Sequence, residues 1–151
     1  MSSVSLSGAD TIQIDGRVLQ NLADLDCVKL SFPNDIAAMK TSKNGNTIYA
    51  LNETGKIAEC EIRVLLGSDD DKYLNSRLQE MKSDFSSFIL VTGSFAKRVG
   101  DGAGVISTKI YQCSGGVFKK QPEAKTSAEG DTEQSVAIYM IQFHNDNISV
   151  Q

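Results

Sequence analysis

The residues able to do chemistry are few and scattered. The chain has one histidine, His144, followed by Asn145-Asp146-Asn147, and three cysteines, Cys27, Cys60 and Cys113. A Ser–His or Cys–His pair needs a nucleophile within hydrogen-bond reach of the imidazole, and the sequence names no partner. No two cysteines show the C-x-x-C spacing of a metal or redox site. Each sits in a strand-like run and reads as a small buried hydrophobe, with an intersubunit disulfide as the alternative that the odd count leaves open. Gly100-Asp101-Gly102-Ala103-Gly104 superficially resembles a phosphate cradle. It lacks the G-x-x-x-x-G-K-[ST] spacing and is flanked by strand-like runs, so it reads as a β-turn. Asp69, Asp70 and Asp71 could in principle hold a cation, but consecutive helical residues diverge by ~100° and point apart. Nothing assembles a nucleophile, a base and an oxyanion donor. The expectation is a protein with no catalytic, cofactor or metal site.

The elements that carry these residues are more informative. Over Lys56–Leu66, Ala58, Cys60, Ile62, Val64 and Leu66 share one parity, and Glu59, Glu61 and Arg63 the other. Period-two alternation puts one face on a core and leaves the other wet. A helix then starts at Ser68, which can cap its free N–H groups. Asp71 three positions later completes a capping-box pattern, and all three aspartates suit the positive end of the helix dipole. Leu74, Leu78, Met81 and Phe85 follow at i, i+4, i+7 and i+11, one packed stripe.

Length and composition narrow the class. A chain of 151 residues with 40% hydrophobic and 23% charged residues has the make-up of one globular domain. Its net charge of −4 argues against a nucleic-acid-binding surface, which needs clustered Lys and Arg. Lys97-Arg98 and Lys119-Lys120 read as solvated strand ends. No apolar run approaches the ~18 residues of a membrane span. Met1–Asp10 lacks a basic start and an apolar core, so no signal peptide is expected and the thiols should stay reduced.

The other elements follow from turn chemistry. Thr11–Leu19 reads as a hairpin around Asp15-Gly16, with a type I′ turn. Asn21–Asp26 reads as a short connection. Cys27–Phe32 is an amphipathic strand with Val28, Leu30 and Phe32 on one face, stopped at Pro33. From Asp35 to Gly55 the texture changes to Asn/Gly turns and side-chain amides interspersed with Ile36, Met39, Ile48, Tyr49 and Leu51. An extended hairpin or a partly mobile loop fits. Connections this long are unusual, and its apolar residues call for cover by something else, most economically a second copy of the chain.

Two strands around the glycine turn follow the helix. A polar segment over Phe118–Ser135, with Gln121–Gln134 as an exposed loop, then leads to a final strand, Ser135–Phe143. Val136, Ile138 and Met140 face one way and Ala137, Tyr139, Ile141 and Phe143 the other, which predicts a central strand sandwiched between the helix and another layer. The tail from His144 is expected to pair weakly or fray. The expected fold is mainly β within the α+β class. It is a single antiparallel domain, a β-sandwich or partly closed barrel with one flanking helix and a long hairpin loop.

This order of elements, with local patterns such as Thr54–Asn75 (TGKIAECEIRVLLGSDDDKYLN), resembles the tail tube proteins of tailed bacteriophages, in particular the contractile-tailed ones. The likeness runs from about Thr11 to Phe143. The resemblance implies a β-sandwich flanked by a helix, assembling into rings, usually hexameric, that stack into a hollow tube in the virion tail. The partners it implies are further copies of the chain, a tail sheath, a tape measure protein, and terminator or baseplate proteins. Genome DNA would pass through without specific binding. The hairpin at Asp35–Gly55 matches the family's loop that contacts adjacent subunits and the next ring, which singles out Ile36, Met39, Lys40, Lys43, Asn44, Ile48, Tyr49 and Leu51. Glu59, Glu61 and Arg63 become candidates for the surface of the bore. On physical grounds, an acidic protein would let DNA slide by like-charge repulsion, and open sheet edges would serve ring closure.

Two other readings stand beside this one. The inner tube of a contractile injection or type VI secretion system shares the fold. A monomeric β-sandwich binding carbohydrate or peptide would display exposed aromatics, which are scarce in a chain with no Trp, four Tyr and six Phe.

Overall fold

The computed structural model describes residues 2–6, 10–23, 27–100, 102–125 and 135–150. Among these residues there are ten strands and one α-helix. In chain order the strands are β1 (Ser2–Leu6), β2 (Thr11–Ile14), β3 (Arg17–Val18), β4 (Val28–Phe32), β5 (Ala37–Thr41), β6 (Thr47–Leu51) and β7 (Ala58–Leu65). After the helix α1 (Asp69–Ser83) come β8 (Val91–Gly100), β9 (Ile106–Lys125) and β10 (Val136–Val150). Eight strands form one antiparallel sheet in the order β1-β4-β7-β10-β9-β8-β2-β3, and β5 and β6 form a separate two-stranded sheet. This is the mainly β, antiparallel, one-helix class expected.

The sheet does not close into a barrel, but it curls. Leu22 bridges Val64 of β7, and the Asn21 carbonyl accepts from Leu65 N–H. In a flat sheet β3 and β7 would be five strand spacings apart, about 24 Å. The four residues from Val18 to Leu22 span at most ~14 Å. Only a curled sheet lets the chain make that crossing.

Curling encloses one core, and α1 lies across it. Ile14, Leu30, Ile62, Leu74, Phe95 and Phe143 are buried within it. The turn of the first hairpin has the expected I′ geometry, with Asp15 at φ 53° and Gly16 at φ 80°. Ser68 caps α1 as read from the sequence, its hydroxyl accepting from Asp71 N–H at 3.2 Å. The Asp71 carboxylate reaches back to Gly67 N–H at 2.8 Å and also accepts from the Tyr139 hydroxyl at 2.6 Å. The acidic triplet therefore does more than complement a dipole. Asp70 is buried and accepts from Gln20 N–H and Asn21 N–H, both at 2.6 Å, and from Arg17. It fixes the chain leaving β3 to the helix N-terminus.

Several boundaries differ from the sequence reading. Leu66 is exposed because β7 ends at Leu65 and the chain turns at Gly67, φ 78°. Phe85 is also exposed: α1 stops at Ser83 with Asp84, in a non-helical conformation, as its C-cap, so the stripe ends at Met81. Phe118–Lys125 is not a loop but the second half of β9, paired with β10 through two register shifts, one of which accommodates Pro122. The rest of the segment expected as a loop, residues 126–134, and residues 24–26 of the first connection lie outside the described residues. The tail does not fray. It continues β10 to Val150, in register with β9 down to Lys109.

Candidate assembly surface

The hairpin β5–β6 is built by local chemistry. Pro33 ends β4, and the turn at Lys43-Asn44-Gly45 is closed by Gly45 N–H to the Ser42 carbonyl (3.0 Å) and Ser42 N–H to the Asn46 carbonyl (2.8 Å). Gly45 takes φ 84°, the left-handed position of a three-residue hairpin loop. Opposed residues share a face: Ala37 with Leu51, Met39 with Tyr49 and Thr41 with Thr47 on one side, Ala38 with Ala50 and Lys40 with Ile48 on the other.

The stem is tightly held. Asn52 N–H donates to the Ile36 carbonyl at 2.8 Å, and the Asn52 side chain accepts from the Thr54 hydroxyl at 2.8 Å. Gly55 is buried, and a Cβ there would overlap Ile36 Cα and the Asp35 carbonyl. A side chain at Gly55 would pry the arm from the domain.

Beyond the stem the arm carries large apolar side chains in the open. Ile36, Met39, Ile48, Tyr49 and Leu51 are between 51% and 76% exposed. Ala37, Met39, Tyr49 and Leu51 help to line a shallow apolar groove of about 330 Å³. Lys40, Lys43 and Asn44 are exposed as well. The eight residues singled out from the sequence thus occupy one projecting arm, on its two faces, its tip and its stem.

Glu59, Glu61 and Arg63 lie elsewhere, on the sheet face turned away from α1. All three are half-buried. Arg63 pairs with Glu61 at 3.2 Å, and Lys119 with Glu59. Strand register sets Lys29 and Ser31 of β4 beside them on one flank, and Met140 and Gln142 of β10 on the other, with Lys120 next to Met140. Lys29, Arg63, Lys119 and Lys120 thus lie near Glu59 and Glu61. Ile138 and Met140 on the same face are half-buried, Ile138 packing against the edge of the core, and no second sheet is assigned over them among the described residues. Among the described residues, the second layer expected on that side of β10 is not seen.

A second exposed apolar region was not read from the sequence. Beyond the core, β8, β9 and β10 continue together as a lip, where Val99, Val105, Ile106, Ile148 and Val150 are 46–65% exposed. The β-branched run Val105-Ile106 was its one sequence signal.

The thiols and the histidine show no sign of shared chemistry. Cys27, Cys60 and Cys113 are buried and form no disulfide. Burial raises the Cys60 thiol pKa well above its ordinary value, with a further push from Cys113, and burial raises Cys113 to about 12. Both stay protonated and inert at neutral pH. His144 is an exposed residue within β10. No cluster of three or more potential metal ligands occurs among the described residues.

Neither a protein-family model nor a curated protein matches the sequence. Among solved structures, the fold is similar to a chain of the PVC sheath–tube complex of an extracellular contractile injection system, in its extended state. The TM-score is 0.57 at 8% identity, over 94% of this chain and 87% of that one. At that identity the likeness establishes a shared fold.

Proposed function

We propose that this protein is a non-enzymatic structural protomer that assembles with copies of itself into stacked rings forming a hollow tube. The observation that carries the reading is the β5–β6 arm: a formed hairpin, anchored by a tight stem, with its largest apolar side chains facing solvent. An isolated two-stranded hairpin is marginal in water, and a monomer has no use for such a surface. A ring of copies covers it. The fold shared with a chain of a sheath–tube complex supports the same reading.

The sheet face bearing Glu59, Glu61 and Arg63 is the candidate lining of the bore. Its Glu59 and Glu61 are each paired with a cation, and the neighbouring Lys29 and Lys120 offer only scattered contacts to a phosphate backbone. Hexameric symmetry, passage of a phage genome, a surrounding sheath and residence in a virion tail belong to the phage form of this proposal. An injection-system inner tube is the second form, favoured by the nature of the structural neighbour. Negative-stain microscopy of concentrated protein tests the reading: rings or tubes are expected, and a chain that stays monomeric even with a nucleating assembly overturns it.

A further inference from the structure

The borders of the large sheet are not alike. The outer border of β9 over Val117–Lys125 is blunted: it carries Lys119 and Lys120, Pro122 and two register shifts. These are the devices by which proteins keep a strand edge from recruiting another. The border of β10 from His144 to Val150 has no Lys, Pro or register shift, and its one carboxylate, Asp146, is half-buried. Pairing of β10 with β7 stops at Phe143–Ala58, whereas pairing with β9 runs on without a shift to Val150. Among the described residues no strand covers the other side of that stretch.

The arm springs from the same end of the sheet. Its last strand, β6, runs into a 3-10 turn at Glu53–Lys56 that abuts β10, and β7 begins at Ala58 opposite Phe143. The two arm strands also differ. β5 carries Lys40, whereas β6 (Thr47, Ile48, Tyr49, Ala50, Leu51) has no Lys, Pro or Gly and is rich in residues that favour strands. Thus one end of the molecule holds a strand and a border without Lys, Pro or register shifts, each paired on one side and open on the other among the described residues.

We infer that β6 of one copy adds as an antiparallel or parallel strand to the His144–Val150 border of β10 in the adjacent copy. The proposal rests on the self-assembly reading and names its contact. Strand addition supplies main-chain hydrogen bonds along the whole border. Because arm and border are different surfaces, the contact is head-to-tail and propagates around a ring. It also gives the arm the third strand it needs and brings its apolar side chains toward Ile148 and Val150.

The test uses full-length protein. Chains carrying Ile48→Cys are mixed with chains carrying Asn147→Cys, assembled, and treated with a short bifunctional thiol reagent. The native cysteines are buried and do not compete. A covalent dimer is expected in the mixture, and none when Lys120→Cys replaces Asn147→Cys. Where a cysteine variant fails to assemble, hydrogen exchange on the unmodified protein decides. Amides of residues 144–150 and 47–51 should slow by roughly a hundredfold in the particles. Particles that form without cross-link or protection overturn strand addition and leave the tube reading intact. Unmodified protein that forms no particles under nucleation removes both.

Discussion

Strands β7 and β6 are both alternating antiparallel strands, and their side chains meet opposite fates. In β7, Ala58, Cys60, Ile62 and Val64 are fully buried beneath α1. In β6, Ile48, Tyr49 and Leu51 are among the most exposed large apolar side chains of the chain. The difference lies in what each strand is given to pair with. β7 has a ladder on both sides and a helix over one face. β6 has only β5. The same local pattern therefore serves stability in one place and leaves an exposed apolar surface in the other.

Perturbing the core side should be costly to the monomer. Asp70→Ala removes the acceptor for Gln20 N–H and Asn21 N–H and leaves those donors poorly satisfied beside the helix N-terminus. About 3 kcal/mol of stability should be lost, read as a lower urea midpoint. A loss below about 1 kcal/mol would mean that water takes over both bonds.

The next effect depends on pH. Burial holds the Cys60 and Cys113 thiols protonated in the folded chain, while in the unfolded chain they ionise near their ordinary value. The unfolded state then binds fewer protons, so stability is fully present below about pH 8 and falls as pH rises toward the folded-state values. Between pH 7.5 and 10 the two thiols together should cost about 3 kcal/mol. Cys60→Ala with Cys113→Ala should lower stability throughout but flatten this slope. An unchanged slope would place its origin elsewhere, such as the buried Tyr139 hydroxyl.

The smallest effect on the monomer is expected in the arm. Met39→Ser with Tyr49→Ser should change the unfolding free energy by less than about 0.5 kcal/mol, as exposed substitutions do. The same pair should raise the concentration needed for assembly by tenfold or more, measured by sedimentation. A large loss of monomer stability would show that the arm packs on its own domain, and the contrast between β6 and β7 would disappear.

Much of this architecture was legible in local chemistry. Asp15-Gly16 specified a turn, Ser68 a helix start, and the parity of Ala58 through Val64 a core-facing strand, because each signal lies within a few residues. The arm was legible as a hairpin from its Asn/Gly turns and as a surface from its misplaced apolar residues. What escaped depended on distant partners. His144-Asn145-Asp146-Asn147 has low strand propensity, yet it extends β10 because β9 is there to pair with it. Phe118–Lys125 is polar and contains Pro122, and it becomes strand by the same pairing with bulges. Asp70 looked like one of three dipole-complementing carboxylates. Its role depends on backbone N–H groups about fifty residues earlier, which no local pattern announces.

The central claim is that the arm is completed by other copies of the chain. Sedimentation and negative-stain microscopy of the intact protein beside a variant with Ala37–Leu51 replaced by a short Gly/Ser linker test it directly. The account predicts that the intact chain forms rings or tubes, while the armless chain stays a folded monomer at every concentration. Armless protein that still assembles, or that cannot fold, would contradict it.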